Sequence, residues 1–256
     1  MKIAIIKLGT DSIVNHNGNL NYKVIDEVLN SINILRSKGI SPLLVCSGAV
    51  AIGKKQNLSL KLSLQNEARI YASIGQPILL SKLQSRFRKK SIPLAQILLT
   101  SKDFGDNERK SILIHTIYDM LNSGILPVIN ENDLLSNEEL DCVPLFNDND
   151  SLAVNVAILV SAKWLFLVSA GIDGLYKDYS NLELGFYDIV TDIESVSISI
   201  SESKSSSGRG GMYAKIKAIQ LAVENNITTY LINGYKAWNI QLALEKSVEF
   251  NGTKFE

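Results

Sequence analysis

Short apolar runs alternate along the chain with longer segments whose apolar residues recur at helical spacing. Residues 3–6, 43–46, 97–99, 126–129, 164–168 and 228–232 read as strands. They show little polar alternation, which is what a sheet covered on both faces requires. Residues 22–38 form a helix whose stripe is Val24, Ile25, Val28, Leu29, Ile32 and Leu35, with Gly39 as its stop. A second helix covers 67–89, and Pro77 inside it is expected to kink or divide it. A third covers 108–123, capped by Asn107 and followed by Gly124; residues 152–162 and 212–225 complete the set. Alternation of this kind predicts an α/β fold with parallel strands joined by right-handed crossovers.

Composition narrows the function classes. The 256 residues are 46% hydrophobic, enough for a substantial core in one or two domains. Lys plus Arg and Asp plus Glu both number 26, so neither nucleic acid nor an anionic membrane has an electrostatic claim on the chain. The one basic run, residues 86–90, reads as a solvated helix end. The first residues, MKIAIIKLGT, carry too short an apolar run for a signal peptide, and no stretch is long enough to span a membrane. Cys46 and Cys142 are too few for a disulfide framework or a zinc site, so the cytoplasm is the expected compartment.

Parallel sheets bind ligands beyond the carboxyl ends of their strands. There the sequence places Lys7-Leu8-Gly9-Thr10, Ser47-Gly48-Ala49, Asn130-Glu131-Asn132-Asp133 and Ser169-Ala170-Gly171-Ile172-Asp173-Gly174. Lys7 followed by glycine suits an oxyanion, because the ammonium neutralises it and the glycine admits backbone N–H groups. Gly48 opens a helix in the same way. Gly208-Arg209-Gly210-Gly211-Met212 with Lys215 is a second candidate phosphate cradle, although neither a Walker loop nor a GxGxxG fingerprint is present. Asp148-Asn149-Asp150 puts carboxylates and an amide ahead of a helix, where Asp150 either caps that helix or serves the site. His115 reads as structural and His16 has no evident partner, so hydrolase and transition-metal chemistry find no support. The serine-rich residues 195–207 read as a surface loop or as an arm beside the site.

Taken in order, these segments and the later Asp173-Gly174-Leu175-Tyr176 resemble the amino acid kinase family. Within it they are similar to the branch that phosphorylates the side-chain carboxylate of glutamate at the start of proline synthesis. Residues 72–76 (ASIGQ) and 95–100 (AQILLT) strengthen the match, which runs to about Gly234. The resemblance implies a three-layer αβα sandwich, a single domain over 1–256 without the C-terminal RNA-binding-like PUA domain of many members, and ATP with Mg²⁺ as cofactors. It implies that Lys7 and Lys215 neutralise the transferring phosphoryl group and that Asp150 orients them. Gly9, Gly48 and Gly211 would offer N–H groups. Ser47, Gly48, Asn130, Asp133 and Asn149 would hold glutamate, while Ser169, Asp173, Gly210 and Met212 would line the nucleotide site. A homo-oligomer and feedback by proline are implied in the same way. Asn147, Ala170, Arg209 and Cys46 depart from the family pattern. A related kinase for another acid, or a non-catalytic amino-acid sensor on the same fold, are the alternatives.

Overall fold

A computed structural model describes residues 1–15, 17–56, 64–135, 148–178, 181–196 and 209–256. His16, Cys142, Asn147 and the serine-rich residues from 197 to 207 lie outside the described residues.

The chain runs β1 (Lys2–Leu8), α1 (Thr10–Ile13), α2 (Tyr22–Ser37), β2 (Ile40–Cys46), α3 (Ala49–Lys54), α4 (Leu64–Arg88), β3 (Leu94–Leu99), α5 (Lys102–Gly105), α6 (Asn107–Asn122) and β4 (Leu126–Glu131). After these come α7 (Asn149–Leu159), β5 (Trp164–Ser169), β6 (Ile189–Val190), α8 (Arg209–Glu224), β7 (Thr228–Asn233), α9 (Asn239–Glu245) and β8 (Thr253–Phe255). The strands form one eight-stranded sheet in the order β3-β4-β2-β1-β5-β7-β8-β6. Every pairing is parallel except β7 with β8. The family's αβα sandwich is therefore the observed architecture.

Alternation along β1 divides the core. Ile3 and Ile5 face one layer, with Leu152, Val156 and Ile219 from α7 and α8. Ala4, Ile6 and Leu8 face the other, with Val28, Ile32, Leu79 and Ile240 from α2, α4 and α9. Lys7 continues the Ile3–Ile5 face past the last apolar residue, so its side chain comes up beneath the start of α7. Flanked by Val45 and Leu167 on the neighbouring strands, it is only 7% exposed.

One local reading changes and two open ones are narrowed. Asp106, not Asn107, caps α6, accepting from the backbone N–H of Glu108 and Arg109. Asp148 caps α7 by accepting from Ser151 N, which leaves Asp150 unused by the cap. Pro77 does not divide α4, which stays one helix through it. His115 is exposed and bonds its own helix through the Ser111 carbonyl at 2.7 Å. Arg86 in the basic run grips Asp26 through two nitrogens instead of standing free.

Candidate functional site

At the carboxyl end of β1, the Asp150 carboxylate divides between two lysines. Lys7 Nζ lies 2.6 Å from Oδ1 and Lys215 Nζ 2.5 Å from Oδ2. Asp150 is in the first turn of α7, on the face turned to the sheet, and Lys215 comes from the second turn of α8. Burial tends to raise the Asp150 pKa, but Lys215 and then Lys7 overcome it and hold the carboxyl below its usual range. Burial pushes Lys7 below the ordinary lysine value against the pull of Asp150, and the neighbouring charge of Lys215 adds to that push. With both lysines protonated the trio carries one net positive charge in a water-poor setting, which favours an incoming anion. A Cβ on Gly9 would meet Lys7 Nζ at an ordinary contact distance of 3.4 Å, and the Gly9 N–H expected to face an anion is directed at the Val168 carbonyl at 3.5 Å.

A hydrogen-bond chain runs beside the trio. Asn149 Nδ2 donates to Ser47 Oγ at 2.8 Å, and Ser47 Oγ lies 2.7 Å from Thr10 Oγ1. Asn149 Oδ1 is buried without a partner in the protein. Gly48, which opens α3, has φ +99°, and a Cβ there would also meet Ile13 and Val14 at 3.0 Å. The position therefore takes glycine for both backbone and steric reasons.

Next to this edge is a cavity of about 230 Å³ whose lining includes Asp133, Gln96, Gln76 and Ser73. Asn130 is 3% exposed and donates from Nδ2 to Gln76 Oε1 at 2.8 Å. Gln96 Nε2 and Asn130 Oδ1 are buried with no partner in the protein. Burial, then the nearby Glu131, pushes Asp133 up to about 6. The cavity thus combines acceptors with an idle amide donor, which is complementary to a zwitterion.

The nucleotide-side residues divide. Gly210, Gly211 and Met212 lie in the opening turn of α8, which aims backbone N–H groups outward from the helix that carries Lys215. Met212 packs against the core. Ser169 ends β5 next to Asn233 in the register. Asp173 is engaged, receiving Lys236 Nζ at 2.9 Å and Asn233 Nδ2 at 3.0 Å on one oxygen. It therefore anchors the loop to the end of β7. The sequence reading missed Gln76, Gln96, Asn233 and Lys236; Gln76 and Gln96 lie in the two segments that strengthened the family match.

Among the described residues no cluster of three or more His, Cys, Asp or Glu is arranged to hold a metal. A glutamate 5-kinase of Enterococcus faecalis is 34% identical over 237 residues, covering 91% of this chain and 87% of that protein. One from Clostridium acetobutylicum is 34% identical over 255 residues, covering 98% and 93%. The solved structure of isopentenyl phosphate kinase superposes with a TM-score of 0.64 at 15% identity, over 98% of this chain and 99% of that one. The amino acid kinase family profile matches residues 2–233, and the chain belongs to the amino acid kinase family.

Proposed function

We propose that this chain transfers the γ-phosphoryl group of ATP to the side-chain carboxylate of glutamate, giving L-glutamyl 5-phosphate for proline synthesis. The observation that carries the reading is the buried Asp150 carboxylate shared between Lys7 and Lys215. A glutamate carboxylate is ionised at neutral pH, so attack on phosphorus needs no general base. One carboxylate oxygen forms a bond to the γ-phosphorus as the bond from that phosphorus to the β–γ bridging oxygen breaks, and ADP leaves. What such a transfer needs is alignment and neutralisation of charge on the equatorial oxygens. The two lysines and the opening turn of α8 are suited to it.

The residues also fit Mg²⁺ held mainly by ATP phosphates, since that ion usually binds through substrate phosphates and few protein groups. When bound, it neutralises phosphate charge. Ser47, Gly48 and Asn149 would meet the reacting carboxylate, while Asn130 and Asp133 would meet the amino-acid head. Ser169 and the loop anchored by Asp173 would border the nucleotide. No helix among the described residues is long and apolar enough to cross a membrane. A cytoplasmic homo-oligomer inhibited by proline completes the reading.

The test is ATP- and Mg²⁺-dependent acyl phosphate formation, trapped with hydroxylamine, on glutamate, N-acetylglutamate, aspartate and a blank. A signal with glutamate alone is expected. A signal confined to another acid overturns the substrate, and none from a folded chain that binds glutamate points to a sensor.

A further inference from the structure

Three amide side chains gather between the sheet and α4. Val128 packs in the layer that contains α4, and Gln96 stands directly opposite it on β3. Strand alternation therefore turns Gln96 and Asn130 to that same side, where Gln76 comes down from the helix. Asn130 Nδ2 donates to Gln76 Oε1 at 2.8 Å, and both residues are less than a tenth exposed. Two atoms of the group are left over, and they are of opposite kinds. Asn130 Oδ1 is a buried acceptor and Gln96 Nε2 a buried donor, and neither has a partner in the protein. Native interiors seldom leave such atoms idle unless something else serves them. Gln76 and Gln96 both line the cavity of about 230 Å³ that Asp133 also borders. Gln96 as a whole is only partly buried and the torsion of its terminal amide is soft, so its donor can turn to a group entering from that cavity.

We infer that Gln96 is a specificity-determining residue whose amide N–H group receives the α-carboxylate of the amino-acid substrate, while Asn130 Oδ1 and Asp133 receive the α-ammonium group. The inference rests on the assignment of this cavity to the head of glutamate. An α-amino acid carries an acceptor-only group and a donor-only group on a single carbon. The cavity offers one idle donor, one idle acceptor and a carboxylate, so both ends of the zwitterion meet their complements and both orphans are served at once. A donor gains about twice as much from an ionised carboxylate as from a neutral partner, which makes the α-carboxylate the favoured match for Gln96. An amino acid without that carboxylate leaves Nε2 idle. A buried donor left unmet is how a polar site rejects a close analogue.

The test is Gln96→Met, which keeps the length of the side chain and removes its donor. Because an unpaired amide leaves the interior, the melting temperature of the ligand-free protein is expected to hold or rise. KM for glutamate should nevertheless increase about tenfold, with KM for ATP and kcat near their original values. The comparison compound is 4-aminobutanoate, which keeps the ammonium group and the reacting carboxylate but has no α-carboxylate. Its inhibition constant against glutamate should change by less than about twofold in the same variant. Gln96→Leu, which removes the donor with a different shape, should give the same split. A KM for glutamate within about twofold of the original in a stable variant overturns the role. So does an equal weakening of both compounds, or a fall in melting temperature with losses in both substrates, which would mark Gln96 as a packing residue. An unmodified chain inactive on glutamate overturns the inference together with the site assignment beneath it, whereas an active chain with indifferent variants overturns the inference alone.

Discussion

Lys7 Nζ stands 2.6 Å from Asp150 Oδ1, and both side chains are less than a tenth exposed. A buried ion pair of this kind is poor evidence for stability, because desolvation offsets much of the attraction. Its value here is positional: one carboxylate sets the spacing of two ammonium groups. Lys7→Ala and Lys215→Ala are each expected to lower kcat by about 10²–10³ while the fold is kept. Asp150→Asn should behave differently, because it leaves two buried ammonium groups facing each other. A loss of about 3 to 5 kcal/mol in unfolding free energy is expected there, alongside lost activity. Denaturant titration with steady-state kinetics on the three variants checks this; near-normal turnover in either lysine variant removes the assigned role.

The pH profile of glutamate binding should report Asp133. Burial and Glu131 push its carboxyl up to about 6, so the free protein binds a proton there as pH falls through that value. The protonated form has lost the negative charge that meets an ammonium group. KM for glutamate should be flat above pH 6 and rise below it, approaching about tenfold per pH unit. Asp133→Asn should raise KM throughout and abolish the bend. A wild-type KM that stays flat down to pH 5, with the fold intact, contradicts the contact.

The sheet was legible because its central strands are apolar on both faces, and residues 3–6 and 164–168 have no other good reading. β6 and β8 were not, since Ile189–Val190 and Thr253–Phe255 are too short to show a period. They form by pairing, with Thr253 Oγ1 donating to the Tyr187 carbonyl at 2.6 Å. At the site, Lys7 and Lys215 stood out through neighbouring glycines. Asp150 remained ambiguous between cap and site, because composition cannot say which of two aspartates the helix uses. Only the fold shows Asp148 taking the cap. Gln76 and Gln96 carried no signal on their own, since a glutamine in an apolar run has no chemistry until a cavity forms beside it.

Helix α6 offers a direct check on cap assignment. Asp106 Oδ1 accepts from Glu108 N at 2.9 Å and Arg109 N at 3.0 Å. Asp106→Ala should therefore cost about 1 kcal/mol of stability. Asn107→Ala, one residue on, should change stability by less than about 0.5 kcal/mol. Equal losses in the two variants, measured by urea unfolding, would return the cap to the asparagine.

Gly53 and Gly75 set the distance between α3 and α4. A Cβ on Gly53 would stand 1.9 Å from the Tyr71 carbonyl, and one on Gly75 would stand 1.8 Å from that of Ala49. These neighbours are backbone, so no rotamer change relieves the clash and the helices must separate. Overpacking of this kind costs about 1–3 kcal/mol. The displaced element is short, and its first residue follows Gly48 and Ser47, so the strain reaches the hydroxyl that Asn149 holds. Gly75→Ala is expected to lower the melting temperature and to reduce kcat/KM for glutamate together. Gly105→Ala is the control, because a Cβ there meets nothing within 4 Å. It should be neutral or stabilising by a few tenths of a kcal/mol, roughly, through reduced freedom of the unfolded chain. A Gly75→Ala protein as stable and active as the Gly105→Ala control would show that α3 can shift without disturbing Ser47, and would separate helix packing from the chemistry at this edge.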